Sequence, residues 1–389
     1  MRLVLLTALL LPAAPLAAQD PPDNAELARR IDLLAEELEG LRNGREAIAV
    51  QDRYGLGPAA AKVYAVDAGP SLGGYGEALY QGYSGNGAAN RFDLYRLVLY
   101  VGYRFSEDWV FNSEIEFEHV DQAAVEMAYL DHLIDPAVNL RAGHLLVPMG
   151  WINETHEPTT FWSANRPQVE RLILPTTWHE NGVGIHGQAG GLEYRSYLMN
   201  GFDASTLGAD LGTTGFRKAR QGGGQAKAEN LAWTGRLDWT GTPGLIAGAS
   251  AWLGDADQTV GAGPHFPTTI LEVHAQYDWE ALRLRGLWAR GELDGATTLG
   301  NPSDRIEGWY LEAGWDLLAG RERELVPFLR YSESDLAVGS PVDRAATWIT
   351  AGLAWKPLPQ AVFKLDYQRQ DPPGSAEVDV LEVAAGWAF

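Results

Sequence analysis

Two polar stretches of the sequence hold closely spaced cationic residues that could bind an anion. The cations of the two stretches are Arg166, Arg171, Arg217, Lys218, Arg220 and Lys227. Arginine offers a planar fork of N–H donors that matches a phosphate or a carboxylate, and lysine adds a point charge. If both stretches fold inward, these side chains would line a narrow opening that attracts anions. The competing interpretation is that they pair with acidic neighbours or remain solvated. Those acidic neighbours are Glu154, Glu157, Glu170 and Glu180.

Histidines lie in or beside the first stretch, close to carboxylates. They are His144, His156, His179 and His186. Histidine and carboxylate groups can bind zinc, but no pair here has the His-Glu-x-x-His spacing of a helical zinc site. We therefore expect hydrogen bonding inside a folded loop, with no metal site and no cofactor. No Walker loop, no Gly-x-Ser-x-Gly and no strand-borne Gly-x-Gly-x-x-Gly is found, so the sequence predicts no enzyme.

Composition narrows the class of protein further. The chain of 389 residues carries a formal charge of −21, which argues against nucleic-acid binding because that function needs a basic face. It contains no cysteine, so disulfides and thiolate metal sites are excluded. After the amino terminus, no run of about eighteen apolar residues occurs, which excludes membrane-spanning helices.

The amino-terminal residues predict export. Arg2 precedes an apolar run, and small residues follow it, so residues 1–18 are predicted to be a cleaved signal peptide. A membrane anchor is the alternative, but the run is too short to span a bilayer. Residues 19–51 are predicted to be a periplasmic linker and a helix, because apolar residues from Leu27 to Ile48 recur at spacings of four and three. This spacing suits either a short coiled coil or an amphipathic helix packed on its own domain.

From residue 70 to the end of the chain, apolar and polar residues alternate with a period of two. Segment 94–105 shows the pattern, with Leu97 and Leu99 on one face and Arg96 on the other. A soluble β-sandwich also alternates in this way. However, tryptophans stand at the ends of the apolar faces, where a membrane interface would hold them. We count about sixteen such segments, each typical of a strand whose faces meet different environments.

The connections between these strands alternate between short turns and long loops. Short ones include 106–108 and 190–191, and long ones include 147–181 and 203–230. The final strand ends on Phe389, which resembles the signal recognised during outer-membrane barrel assembly. Together these features predict an all-β, transmembrane, antiparallel β-barrel of about sixteen strands. Because the 147–181 loop is long and contains apolar residues, we expect it to fold into the lumen and constrict it.

The faces predicted to line the lumen carry both signs of charge. The strand residues that we select as pore-lining candidates are Arg96, Arg104, Arg141, Arg236, Glu114 and Glu116. Cations and anions are almost equal in number over all these faces, so no single sign dominates. The phase of the alternation cannot be read in segments 125–133 and 245–253.

Several motifs resemble the phosphate-selective porin O/P group of bacterial outer-membrane porins. They span residues 143–150, 156–158, 166–170, 175–184, 217–221, 228–230 and 235–238. The resemblance covers roughly the whole predicted barrel, residues 70–389. It implies a sixteen-stranded, trimeric porin, often with a helical segment before the barrel.

We therefore expect an outer-membrane porin whose water-filled channel passes small hydrophilic solutes, with anions such as phosphate among the candidates. The expected partners are membrane lipid, lipopolysaccharide, the barrel-assembly machinery acting through Phe389, and further copies of the chain in a homotrimer. One alternative is a plugged barrel with a binding or tethering role. Another is an enzyme built on a barrel rim.

Overall fold

Sixteen antiparallel strands form a closed barrel in the computed structural model, which describes residues 54–85, 87–261 and 263–389. Each strand pairs with its neighbours in the sequence, and the first strand closes the sheet by pairing with the last. This confirms the predicted fold class and the number of strands. The predicted signal peptide and helical segment lie outside the described residues. Within the described ranges, no helix is long and apolar enough to span a membrane.

The strands contain 9 to 16 residues, and about 9–11 tilted residues are enough to cross the hydrocarbon of a bilayer. Their bounds are β1 Gly69–Ser84, β2 Arg91–Arg104, β3 Trp109–Glu118, β4 Gln122–Asp135, β5 Val138–Leu146, β6 His179–Ala189, β7 Leu192–Asn200, β8 Leu231–Thr242, β9 Leu245–Asp255, β10 Pro267–Trp279, β11 Leu282–Leu293, β12 Arg305–Trp315, β13 Glu324–Asp335, β14 Ala345–Leu358, β15 Ala361–Asp371 and β16 Val378–Ala388. Short helices and 3-10 turns lie between them at Ala60–Ala65, Gln168–Leu172, Ala204–Leu207, Leu211–Thr214, Gly215–Ala219 and Ala296–Leu299.

The two faces of the sheet meet different surroundings. In β12, Leu311 and Trp315 point outward and are 61% and 54% exposed, whereas Tyr310 and Glu312 point inward and are buried. An apolar outer face around a polar interior is the reverse of a soluble barrel, and it is the arrangement of strands that face lipid. The period of two in the sequence therefore corresponds to the two sides of one wall.

The two ends of the barrel differ in the length of their connections. Turns such as 105–108 and 190–191 lie at one end, which we call the short-turn end. The long connections 147–178 and 201–230 lie at the other, the long-loop end. The alternation expected from the sequence is confirmed at most connections; the exceptions are the short connection 119–121 at the long-loop end and the longer connection 316–323 at the short-turn end. The first of the long loops is shorter than the expected 147–181, because its last three residues extend β6 and pair with β5.

Two segments fill the interior of the barrel. Residues 147–178, which we call the lumen loop, fold inward and bury apolar side chains. The buried apolar residues of this loop include Val147, Met149, Ile152, Val169, Ile173, Leu174 and Trp178. Residues 54–66, which we call the mouth segment, lie at the short-turn end, where the 3-10 helix Ala60–Ala65 contacts β1, β2 and β3. Polar side chains of the inner wall therefore meet protein over much of their surface.

Candidate functional site

The neck of the lumen loop is closed by Asn153. Its Nδ2 donates to the carbonyl oxygens of Val147 at 2.7 Å and Trp178 at 2.8 Å, and its Oδ1 accepts from the Trp178 N–H at 2.6 Å. The Trp178 ring stacks on Phe202, with 4.7 Å between ring centroids and 8° between planes. The loop therefore leaves the wall and returns to it at one fixed point, beside the 201–230 loop.

The far side of the lumen loop is bound to the opposite wall. Lys364 donates from Nζ to the carbonyl of Ser163 at 3.0 Å, and Arg330 donates from Nη1 to the Ser163 hydroxyl at 2.6 Å. The next N–H, that of Ala164, donates to Oδ2 of Asp366 at 2.6 Å. Since these partners lie on β13 and β15, the loop crosses the whole width of the lumen.

A cavity of about 670 Å³, which we call the vestibule, lies between the lumen loop and the long-loop end of the wall. Strands β1, β2 and β3 supply one side, and the lumen loop supplies another. The arginines that line it are Arg91, Arg96, Arg166, Arg171 and Arg217. The carboxylates that line it are Glu77, Asp93, Glu118 and Glu382. The lining is therefore rich in charge of both signs.

Part of this charge is compensated within the wall. Arg96 lies between two glutamates, with Nε 3.7 Å from Oε2 of Glu77 and Nη1 3.8 Å from Oε1 of Glu116. His119 pairs with Asp93 at the rim. Charges that are already paired in this way have little attraction left for a solute.

Arg166, Arg171 and Arg217 form a positive cluster in the vestibule. None of the three has a carboxylate at ion-pairing distance among the described residues. Arg217 donates instead to the carbonyl of Thr176. Burial, then the nearby guanidinium of Arg220 and those of Arg171 and Arg166, lower the pKa of Arg217 to about 10. Like charges held together in this way are stabilised by a bound anion.

The other cations expected at the opening do not line the vestibule. Lys218 is 53% exposed and pairs with Asp210, and Lys227 forms an ion pair of 2.8 Å with Asp203. Arg220 donates from Nη1 to two carbonyls of the lumen loop, at 2.9 and 2.7 Å. Arg217 and Lys218 are adjacent in the 3-10 turn Gly215–Ala219 and point in different directions, so closeness in the sequence did not bring them into one cavity.

The strand candidates face the interior, and four of the six contact the two filling segments. Arg104 and Arg141 donate to carbonyls of the mouth segment, those of Tyr64 at 3.1 Å and Tyr54 at 3.3 Å. Arg236 donates to a carbonyl of the lumen loop. The remaining candidates are Arg96 in the vestibule and Glu114 and Glu116 on β3. Four of these charges therefore hold the filling segments in place, whereas Arg96 and Glu116 pair with each other within the wall.

Sequence reasoning missed two features of the interior. Arg91 begins β2 and lines the vestibule, but alternation says little about a residue at the very end of a strand. The mouth segment was given no role. Its signal was a run of small and apolar residues, including Leu56, Val63 and Tyr64, that precedes the first strand and is buried in the structure.

The closed sixteen-stranded barrel has the fold of bacterial outer-membrane porins. OmpF of Salmonella typhi, solved in complex with daunomycin, matches with a TM-score of 0.58 at 11% identity, over 83% of this chain and 98% of that one. A trimer form of OmpT from Vibrio cholerae matches with a TM-score of 0.54 at 12% identity, over 83% of this chain and all of that one. The anion-selective porin of Comamonas acidovorans gives 0.52 at 14% identity, with the same coverage.

A relative in sequence places the chain in a family. A protein of Aquifex aeolicus (strain VF5), described as uncharacterized, is 36% identical over 371 residues, which span 86% of this chain and 83% of the relative. The chain belongs to the same family as this protein. No protein-family model matches the chain.

Proposed function

We propose that this chain is an outer-membrane porin of the phosphate-selective O/P type, through which small hydrophilic anions such as phosphate diffuse passively. The observation that carries the proposal is the cluster of Arg166, Arg171 and Arg217, which share one cavity with no ion-paired carboxylate among the described residues. The apolar outer wall suits lipid, and a signal peptide over residues 1–18 would export the chain to the periplasm, from which the barrel would enter the outer membrane. The role is that of a channel and involves no catalysis.

The charges deeper in the lumen are ion-paired, which supports the view that the opening sets the ion selectivity. Arg195 lies 3.1 Å from Glu154 and 2.8 Å from Asp238, and Arg330 lies 3.1 Å from Glu312. Such compensated pairs favour neither sign of ion. Uncompensated cations at the opening raise the local concentration of anions and oppose cations. This reconciles an anion preference with a nearly equal number of charges of each sign on the lumen faces.

Planar-bilayer recording in a salt gradient tests the proposal. The wild-type chain is expected to show open steps of stable size and a reversal potential of the sign expected for anion preference. Replacing Arg166, Arg171 and Arg217 together by glutamine should move that potential toward cation preference. Addition of phosphate should reduce the chloride current of the wild type more than that of the triple variant.

The matched control is Lys218→Gln. Lys218 neighbours Arg217 in the sequence, yet it is exposed and paired outside the vestibule, so its loss should leave the reversal potential unchanged. A wild-type channel that prefers cations would contradict the proposed selectivity. An unchanged reversal potential in the triple variant would remove the arginine cluster from the explanation.

A second candidate function is a plugged barrel with a binding or tethering role. The filled lumen favours this second function, since a buried hydrogen-bond network holds the mouth segment inside the barrel. Tyr64 donates from its hydroxyl to Asp131 at 2.5 Å, and Arg141 donates to the same carboxylate from Nε at 2.8 Å. A folded wild-type barrel that binds phosphate but gives no conductance would favour this second function over the channel.

The partners follow from the same proposal. We propose a homotrimer, as in the trimer form of OmpT, embedded in outer-membrane lipid and lipopolysaccharide. The barrel-assembly machinery would recognise the last strand through Phe389, whose backbone pairs with Gly74 of β1. Mass measurement in detergent tests the trimer, and a Phe389→Ala variant should give less assembled barrel in the outer membrane at equal synthesis.

A further inference from the structure

A buried cluster of two carboxylates and one histidine connects the lumen loop to the wall. Glu114 of β3, Glu126 of β4 and His156 of the loop each offer one ligand atom, and these atoms lie within 4.8 Å of one another. His156 Nε2 lies 2.9 Å from Oε1 of Glu114 and 3.4 Å from Oε2 of Glu126. None of the three residues is more than 2% exposed. The cluster lies outside the vestibule lining.

A bulge in β4 turns Glu126 into this cluster. Glu114 pairs with Met127, and the next residue of β3, Ile115, pairs with Val125, so Glu126 has no partner across the strands. Both Glu126 and Met127 are buried, which breaks the alternation of the strand. Bulges are common beside functional sites because the extra residue can be aimed away from the regular pattern.

The histidine is oriented as a ligand would be. Its Nδ1 lies 2.8 Å from the carbonyl oxygen of Asn153, and a carbonyl only accepts, so Nδ1 carries a proton. Nε2 is then left facing the two carboxylates. A backbone carbonyl on the second ring nitrogen is the usual arrangement around a metal-binding histidine. A neutral ring would turn its lone pair toward carboxylate oxygens, so either a second proton on Nε2 or a metal ion must lie between them.

Oxygen atoms of the cluster that lack hydrogen-bond partners also indicate a bound cation. Oε2 of Glu114 and Oε2 of Glu126 are buried without a hydrogen-bond partner, and so is the hydroxyl of Tyr75. The ring of Tyr75 lies 5.9 Å from that of His156. Buried carboxylate oxygens without partners are costly, and a bound cation would satisfy them.

We propose that Glu114, Glu126 and His156 bind one divalent transition-metal ion of the zinc class, which ties the lumen loop to β3 and β4. One nitrogen and two oxygen ligands suit zinc, and the edge of a tetrahedral zinc site is about 3.3 Å, close to the separations seen here. Proximity in the sequence did not reveal the site, because His156 is 42 residues from Glu114.

Titration of the full-length barrel in detergent, after chelation and removal of the chelator, tests the site. Co²⁺ should bind with a stoichiometry of one ion per chain and give the intense visible absorption of a low-symmetry site, and Zn²⁺ should abolish that absorption. Wild-type barrel that keeps its heat-resistant, folded gel mobility but binds no stoichiometric Co²⁺ or Zn²⁺ overturns the proposal. This measurement needs no variant.

Variants identify the ligands. His156→Gln and Glu126→Gln should each weaken Co²⁺ affinity by more than about 100-fold, because loss of a ligand exceeds the effect of losing a second-shell partner. The matched control is His144→Gln. That histidine contacts His179 in a separate pair, with 4.8 Å between ring centroids, and its loss should leave the stoichiometry at one. Retained binding in the two ligand variants, or lost binding in the control, overturns the assignment.

Discussion

Replacing Glu170 by alanine should loosen the lumen loop without opening the barrel wall. Glu170 lies in the short helix Gln168–Leu172 and is fully buried. Its Oε2 accepts from the N–H of Ile152 at 2.7 Å, and its Oε1 accepts from the hydroxyl of Tyr310 at 2.7 Å. The carboxyl therefore joins two parts of the loop to each other and to β12.

The expected loss of folding stability follows from the two buried hydrogen-bond donors that lose their acceptor. Each buried donor without an acceptor destabilises by about 1–3 kcal/mol, so Glu170→Ala should cost about 2–6 kcal/mol. Burial raises the pKa of Glu170, so a neutral amide is the gentler replacement. Glu170→Gln keeps one acceptor and should cost about 1–3 kcal/mol. Tyr310→Phe leaves one acceptor oxygen unpaired and should cost about as much as the glutamine variant.

The stability of these variants can be measured by gel electrophoresis after heating, because folded barrels and unfolded chains migrate differently. The midpoint is the temperature at which half of the folded band is lost. Glu170→Ala should lower the midpoint by about 4 °C or more, and the other two variants by less. Limited proteolysis should cut the lumen loop first in the alanine variant. The double variant Glu170→Ala/Tyr310→Phe should be less destabilised than the sum of its parts, since the two residues share one hydrogen bond. A midpoint equal to that of the wild type, or strict additivity, would refute the reasoning.

Three further outcomes follow from the described contacts. Gly215→Ala should destabilise the folded barrel far more than Gly208→Ala. Both glycines have positive φ, but only at Gly215 would the added Cβ lie 1.9 Å from a backbone carbonyl oxygen. Equal melting temperatures of the two variants would contradict this prediction. If the channel prefers anions as proposed, Arg217→Gln should weaken that preference and Arg217→Lys, which keeps the positive charge in the vestibule, should largely preserve it; equal shifts of the reversal potential in the two variants would contradict a role for that charge. Gly102→Ala should loosen the mouth segment, because a Cβ at Gly102 would lie 2.6 Å from Cγ2 and 2.9 Å from Cβ of Val63; limited proteolysis that cuts residues 54–66 no faster than in the wild type would contradict this placement of the mouth segment.

The barrel could be predicted from the sequence because each strand reports its own two environments. In two segments, the sequence does not show which residues face the lumen and which face outward. In 125–133, the bulge at Glu126 shifts the alternation, and a bulge depends on the partner strand. In 245–253, Ala247, Gly248 and Ala249 place small residues on both faces, so apolar and polar sides look alike.

The candidate site was predictable only in part. The loops that carry the arginines could be recognised by length and charge, but the selection among them could not. Arg217 and Lys218 are adjacent, yet one lines the vestibule and the other pairs with Asp210 outside it. That difference depends on how the 201–230 loop packs against the lumen loop, and such contacts between distant segments leave no periodic signal in the sequence.

The route of the lumen loop across the barrel has a consequence for biogenesis. Asn165 donates to Glu382, 217 residues later, and Ala164 donates to Asp366, 202 residues later. These bonds can form only after the carboxy-terminal strands have joined the sheet, and such distant partners slow folding. Until then the aromatic rings of Phe161 and Trp162 have no wall to cover them, because Lys364 and Phe328, which cover them in the finished barrel, lie on late strands. The unfinished chain should therefore depend on a chaperone to keep these rings from aggregating.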